Sequence, residues 1–450
     1  MTLPPKPESR PAKVSLWRYA RLFRQDILSA QPARLYRAWM AEFKTPFFRS
    51  YLINQPDLIQ TVLKTRPDEY PKSDRIGEGL RPLLGNSVFL TNGAIWKRQR
   101  RIIDPAFEGG RLRETFPAIW DAAEAAAARL APHDGAPLEV EAQTSHAAAD
   151  VIFRTLFSIP IEHHMAREVF DEFKTYQRSQ PILNIAAFVP LPRWLPRLFR
   201  RDTKRSAAKI RRLITALTAE RMEAIKAGTA PDDLATKIMT TPDPEDGSTF
   251  TTDEMVDQVA IFFLAGHETS ASALAWAMYL VATHPDWQDR LAAEAQVIDQ
   301  CDFAVMGKLR QSRDVFREAL RLYPPVPMMV REASCPATFR DRTVARGAQV
   351  VISPWHLHRH ERLWDNPDGF DPARWHSENG KKCQREAYLP FSAGARVCPG
   401  AGFAMVEGPL ILSRILRDYR IEVVGEKPPV PVAHLTVRSK DGILLRFVRR

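Results

Sequence analysis

The chain has 450 residues, 45% hydrophobic and 26% charged, proportions ordinary for a globular protein with a large core. Its four cysteines (Cys301, Cys335, Cys383, Cys398) are too few for a disulfide framework at this length. The net charge is +11, but no nucleic-acid motif accompanies it, which leaves a dispersed basic surface or a docking face for an acidic protein or membrane.

No Gly/Ser tract, low-complexity run or internal repeat divides the chain. A single domain over residues 1–450 is expected, with 1–48 as a peripheral N-terminal segment. Residues 1–13 are proline-rich and polar, without the apolar run of a secretory signal, so a reducing cytoplasmic setting is expected. Residues 15–48 are rich in Trp, Tyr, Phe and Arg, and 49–54 are β-prone. Residues 117–130 are Ala-rich and amphipathic, with Pro117 where a first helical turn tolerates it. Residues 188–197 form a proline-broken apolar stretch in a basic context, and 205–226 repeat apolar positions at helical spacing. Residues 15–48 and 188–197 leave peripheral membrane contact open; an ordinary substrate-access loop is the favoured reading of the second.

The clearest helix starts near Thr251, where Thr251 and Glu254 have capping-box spacing. It runs apolar to Ala282 and stops before Pro285. Roughly 30 residues give on the order of 50 Å at helical rise. His267, Glu268 and Thr269 interrupt its middle, and an acid at bilayer centre costs about 2.5–3.5 kcal/mol, so a buried helix is expected rather than a membrane span. Further on, 346–353 and 442–448 are β-prone. The three histidines His356, His358 and His360 alternate on a stretch read as extended and structural. Many helices with few clustered strands predict an α+β fold, predominantly α-helical.

The segment Phe391-Ser-Ala-Gly-Ala-Arg-Val-Cys-Pro-Gly400 carries the chemistry. Cys398 precedes Pro399 and a helical pattern (Phe403, Val406, Leu410), so it is placed at a helix N-terminus. There the macrodipole favours a thiolate ready to bind metal. Gly394 and Gly400 let the backbone approach a flat ligand, and Arg396 supplies a positive fork suited to a carboxylate. A buried structural cysteine is the commoner fate of a lone Cys; a zinc site would need three or four ligands nearby.

The pattern Phe391-x-x-Gly394-x-Arg396-x-Cys398-x-Gly400 resembles the haem-binding signature of the cytochrome P-450 family. Five fixed positions match by chance about once in ten million starts at average residue usage. Ala404 and Glu407 resemble the continuation of that signature, whereas Gly408-Pro409 sits awkwardly in it and predicts a local kink. The resemblance implies haem b, with Cys398 as the proximal ligand and metal-binding residue, a thiolate that pushes electron density toward iron. It implies that Arg396 pairs with a propionate. Glu318-Ala-Leu-Arg321, followed by Leu322-Tyr323-Pro324-Pro325, resembles the family's Glu-x-x-Arg helix, and Asp371-Pro372-Ala373-Arg374-Trp375 resembles its Pro-x-Arg-Phe element. Together these imply a structural charge triad of Glu318, Arg321 and Arg374. Trp96-Lys-Arg-Gln-Arg100 resembles the helix in which Trp96 and Arg100 reach a propionate, and Arg331 takes a further propionate-pairing position.

Ala265-Gly266-His267-Glu268-Thr269 resembles the family's oxygen-activating kink over the distal haem face. Glu268 would help deliver protons and Thr269 would steady the activated oxygen and its waters, since O–O heterolysis consumes protons and leakage wastes reductant. The pair implies a monooxygenase using O2. Apolar residues on the distal side (Ile261, Phe262, Ala265, 326–330, Leu435) imply a hydrophobic substrate of unspecified identity.

No flavin or iron–sulfur segment is fused, so electrons are expected from an acidic ferredoxin or flavodoxin with its reductase. The docking charges are expected at Lys97, Arg98, Arg101, Lys381, Lys382 and Arg385. A monomer is expected. Three rivals rank below this reading. A haem sensor or carrier has no need of Glu268 and Thr269, a peroxide-transforming isomerase commonly lacks that pair, and a cofactor-free helical scaffold would be colourless.

Overall fold

Helix propensity and capping explain most of the chain. A computed structural model describes residues 3–44, 48–179 and 201–450; the apolar stretch 188–197 lies outside them. In chain order come α1 (Leu16–Gln25), β1 (Met40–Lys44), β2 (Arg49–Ile53), α2 (Gly93–Ile103), α3 (Phe116–Ala128), β3 (Pro137–Glu139), α4 (Val140–Phe157), α5 (His164–Ser179) and α6 (Arg201–Lys226). There follow α7 (Thr252–Ala282), α8 (Pro285–Ala295), α9 (Arg310–Leu322), β4 (Met329–Glu332), β5 (Ala337–Phe339), β6 (Arg342–Val344) and β7 (Gln349–Ile352). The chain closes with α10 (Glu378–Glu386), α11 (Ala401–Asp418), β8 (Tyr419–Val423), β9 (Pro431–Ala433), β10 (Val437–Ser439) and β11 (Leu444–Arg449). Shorter helical turns connect them.

The start of α7 is built as its sequence dictates. The Glu254 N–H donates to Thr251 Oγ1 at 3.2 Å, and the Thr251 N–H donates to the Glu254 carboxylate at 2.9 Å, so two otherwise unsatisfied donors are met reciprocally. The helix then stays α-helical through residues 265–269; the interruption read there is one of residue type, not of hydrogen bonding. Gly266 has a packing reason, because a Cβ at that position would lie 2.3 Å from Ile152 Cδ1. Likewise α11 runs unbroken through Pro409. Gly408 makes room for Phe316, whose ring would lie 2.2 Å from an added Cβ. The histidine stretch is not extended: His356 lies in a helical turn, His358 caps its end and His360 follows the turn after it. Ser353 caps a turn over Pro354–Leu357 by accepting the His356 N–H. Burial drives His356 and His358 down to about 3 and His360 to about 4, so all three stay neutral.

The chain divides into two compact units: Met1–Pro71, Ala123–Ala147 and Thr269–Arg450 in the first, Lys72–Ala122 and Ala148–Glu268 in the second. The first holds the strands. Its larger sheet has the order β1-β2-β7-β4, with β2 and β7 parallel and the other pairs antiparallel. A second sheet has the order β3-β11-β8. Tyr51, Ile53, Val350 and Ile352 from the larger sheet pack with Trp364, Trp375 and Cys383 in one apolar cluster. The second unit is helical. Phe153, Phe173 and His267 gather around Phe263 at ring-centroid distances of 4.8, 4.4 and 5.6 Å, within the range of favourable aromatic pairing. No described helix is long and apolar enough to cross a membrane.

Candidate functional site

In the first unit, the segment from Phe391 to Gly400 forms a tight loop ahead of α11. The Cys398 N–H donates to the Phe391 carbonyl at 2.9 Å and the Val397 N–H to the Gly394 carbonyl at 3.0 Å. Ser392 and Gly394 both take positive φ, 62° and 69°. A Cβ on Gly394 would lie 2.0 Å from the Leu63 carbonyl oxygen. Glycine is therefore required by the turn and by Leu63, a more local reason than the approach of a flat ligand. Gly400 is the N-cap of α11, and a Cβ there would meet only Cys398 Sγ, at 3.9 Å. Pro399 thus precedes the cap and does not enter the first turn. Cys398 stands just outside the helix, where its carbonyl accepts the Ala401 N–H at 3.4 Å. Its side chain is free of disulfide bonding and exposed.

Two guanidiniums accompany the loop. Arg396 donates through Nη1 to the Pro67 carbonyl at 2.8 Å; burial lowers its proton affinity, opposed by Asp68. Arg331 on β4 is 7% exposed, and its Nη1 donates to the Val330 carbonyl at 3.3 Å. Burial, then the like charge of Arg396, drives Arg331 down to about 10. A buried cation beside another cation is costly without an anion. The donor set of an exposed cysteine and two guanidiniums, one buried and one half-buried, therefore fits a metal-centred group carrying carboxylates, and haem is such a group.

The first unit also holds a closed ion cluster. Arg321 and Glu318 pair through two bonds of 2.9 and 2.8 Å, and Arg374 Nε donates to Glu318 at 2.9 Å. Arg321 also reaches the carbonyls of His358, Pro367 and Gly369; Arg374 reaches those of Asp365, Asn366 and Gly369. Burial alone would raise Glu318, but Arg321 and Arg374 outweigh it and hold the carboxyl below its ordinary range. Both guanidinium forks are filled, so the three side chains hold the chain in place and are not available to a ligand.

The second unit carries Trp96 and Arg100 on α2, and Ala265 and Glu268 on α7; Thr269 is the first residue of α7 assigned to the first unit. Trp96 is buried with Lys72 Nζ 5.9 Å from its ring centre. Arg100 Nε lies 2.7 Å from Asp104, one turn along the same stretch. Glu268 is buried, Thr269 half-buried and Ala265 exposed. The expected docking cations of α2 are largely engaged internally: Arg98 bonds Ser248, the Thr249 carbonyl and Glu254, and Arg101 grips Asp243 with two bonds of 2.6 and 2.7 Å and also meets Glu245. Lys381 pairs with Glu378 on α10, whereas Lys382 and Arg385 are exposed.

Two polar connections were not foreseen. Asp257 accepts the Asn86 N–H at 2.7 Å and pairs with Arg211 at 2.7 Å, and Gln258 accepts the Val88 N–H at 2.9 Å, fastening the 85–91 loop to α7. Ser270 donates to Glu407. Polar residues within an otherwise apolar helix were the available signal.

A family model described as cytochrome P450 matches residues 36–446. The chain belongs to the cytochrome P450 family. Cyclooctat-9-en-7-ol 5-monooxygenase of Streptomyces melanosporofaciens is 33% identical over 387 residues, covering 84% of this chain and 81% of the relative. Cytochrome P450 4A11 of Homo sapiens is 30% identical, over 88% and 78% of the two chains. The crystal structure of the cytochrome P450DA heme domain superposes with a TM-score of 0.81 at 23% identity, covering 100% of this chain and 98% of that one, a likeness of fold. The protein is thus a P450 monooxygenase, an oxidoreductase that uses haem iron and O2 and takes electrons from a redox partner.

Proposed function

We propose that this P450 inserts one oxygen atom from O2 into a hydrophobic small molecule by hydroxylation, as a single catalytic domain over residues 1–450 and as a monomer. The observation that carries the reading is the exposed Cys398 accompanied by two cations, the buried Arg331 and the half-buried Arg396. Haem b, when bound, supplies the redox chemistry of oxygen activation. Cys398 Sγ would ligate the iron. Arg396, Arg331, Arg100 and Trp96 would hold the propionates, and Phe391, Gly394, Gly400 and Ala265 would shape the walls. Glu268 would carry protons inward and Thr269 would orient the water that receives them. Glu318, Arg321 and Arg374 keep the Cys398 loop's support rigid. The exposed apolar side chains Val326 and Leu435 favour an apolar substrate. So does a relative named for acting on cyclooctat-9-en-7-ol.

The ferrous carbon-monoxide difference spectrum of the purified protein beside Cys398→Ser tests this. A red-shifted Soret band lost in the variant is expected. A histidine-type band, or no haem, would end the proposal.

For electron delivery, an acidic ferredoxin or flavodoxin with its reductase is the proposed donor. The internal pairing of Arg98 and Arg101 moves its docking charges to Lys382 and Arg385. A second reading, peripheral membrane contact, is favoured by α1: Trp17 is 82% exposed and is flanked by exposed Arg18, Arg21 and Arg24. An interfacial aromatic among cations suits an anionic lipid surface. Flotation with anionic vesicles should fail for Trp17→Ala; equal flotation of both proteins would remove this reading.

A further inference from the structure

One carboxyl of α11 has no part in the roles above. Glu407 is 4% exposed and shares its helix's buried residues with Val406, Leu410 and Ile411. The Ser270 hydroxyl of α7, also buried, donates to it. Burial drives the carboxyl's proton affinity up to about 7, only partly opposed by that hydroxyl. Charged groups on the helices packed with α11 are engaged elsewhere: Glu294 with Ser312, Asp314 with Arg317, Glu318 with Arg321 and Arg374. On α11 itself Arg414 pairs with Glu124. None of these appears among the causes that shift Glu407.

A mid-helix serine commonly returns its hydroxyl to a carbonyl one turn back. Ser270 instead donates to a different helix. Ser272, two residues on, likewise donates outward to the Val437 carbonyl. These two anchors follow directly on Thr269, and in a helix of 3.6 residues per turn the orientation of one residue fixes that of the next. A buried carboxylate without a cation is expensive, whereas a neutral carboxyl can accept from Ser270 with one oxygen and donate with the other.

We infer that Glu407 is a positioning residue for oxygen activation, acting through Ser270 to hold Thr269 in its orientation on α7. The inference rests on the proposed role of Thr269. When Glu407 ionises, Ser270 bonds the carboxylate more strongly, but burial opposes the charge more than that bond supports it, and the cost of an unpaired buried carboxylate loosens the packing around the Thr269 turn.

The test compares the holoenzyme with E407Q, E407L and S270A. One readout is amide hydrogen exchange of the peptide carrying Thr269 and Ser270. The other is the fraction of reductant recovered as hydrogen peroxide during turnover. At a pH roughly one unit below 7, S270A and E407L should exchange and leak several-fold more than wild type, while E407Q should match it. Above about pH 7 the wild type should move toward the variants, and E407Q should stay flat. If S270A and E407L match wild type in both readouts, or E407Q keeps the wild-type pH dependence, the inference is wrong. Should E407L not fold, S270A and E407Q decide. A wild-type carbon-monoxide spectrum without the thiolate band would fail the proposed function. A normal spectrum with unchanged exchange would fail only this inference.

Discussion

Single residues here are governed by the cost of burying charge. Arg331 loses proton affinity because it is buried and faces Arg396, so it should matter more to haem retention than to folding. Arg331→Met should leave urea stability equal or higher and should speed haem transfer to apomyoglobin about ten- to a hundred-fold, the worth of one or two charged hydrogen bonds. Unchanged transfer would remove Arg331 from the haem site. Glu407 illustrates the opposite sign. Its carboxyl is raised from 4.5 to about 7 in the fold, so the native state binds the proton more tightly than the unfolded chain. The stability it contributes is full below the unfolded value, is lost as pH climbs toward about 7, and is level above that. The loss is on the order of 3 kcal/mol. Urea midpoints across that window should fall for wild type and hold steady for Glu407→Gln.

At the scale of elements, close packing and ion clusters decide what each helix tolerates. Glu318 serves two arginines at once. Glu318→Ala would strand two buried cations and should cost about 3–5 kcal/mol in urea unfolding; a cost under one kcal/mol would mean the cluster contributes little. Gly408 faces the Phe316 ring, so Gly408→Ala should cost about 1–3 kcal/mol by overpacking, and Phe316→Leu in the same chain should recover part of it. Much at this scale was legible in sequence. The capping box at Thr251 and Glu254, the stop before Pro285, and the strands at 49–53, 349–352 and 444–449 follow from local rules of capping, periodicity and β-propensity. The histidine stretch did not follow. Alternation of His356, His358 and His360 imitates a strand, and the cap made by Ser353 with Pro354 overrides it.

For the whole molecule, the distribution of charge matters more than its sum. Arg98 and Arg101 read as docking cations in a sequence, yet each is bound to acids many residues away. Arg101→Glu should therefore lower thermal stability, with partner reduction falling only in proportion to folded protein. Lys382→Glu with Arg385→Glu should leave stability unchanged and flatten the salt dependence of reduction; an unaltered salt slope would place the partner elsewhere. The amino-acid sequence by itself determined the family, the helical character, the candidate ligand Cys398 and the identity of the charge triad, because these rest on residue types at short fixed spacings. Only the tertiary structure decided which cations are satisfied internally, why Gly266, Gly394 and Gly408 are glycines, and that Glu407 meets Ser270. Those facts depend on which distant side chains and carbonyls arrive beside each residue, and long-range packing leaves no local pattern from which to read them.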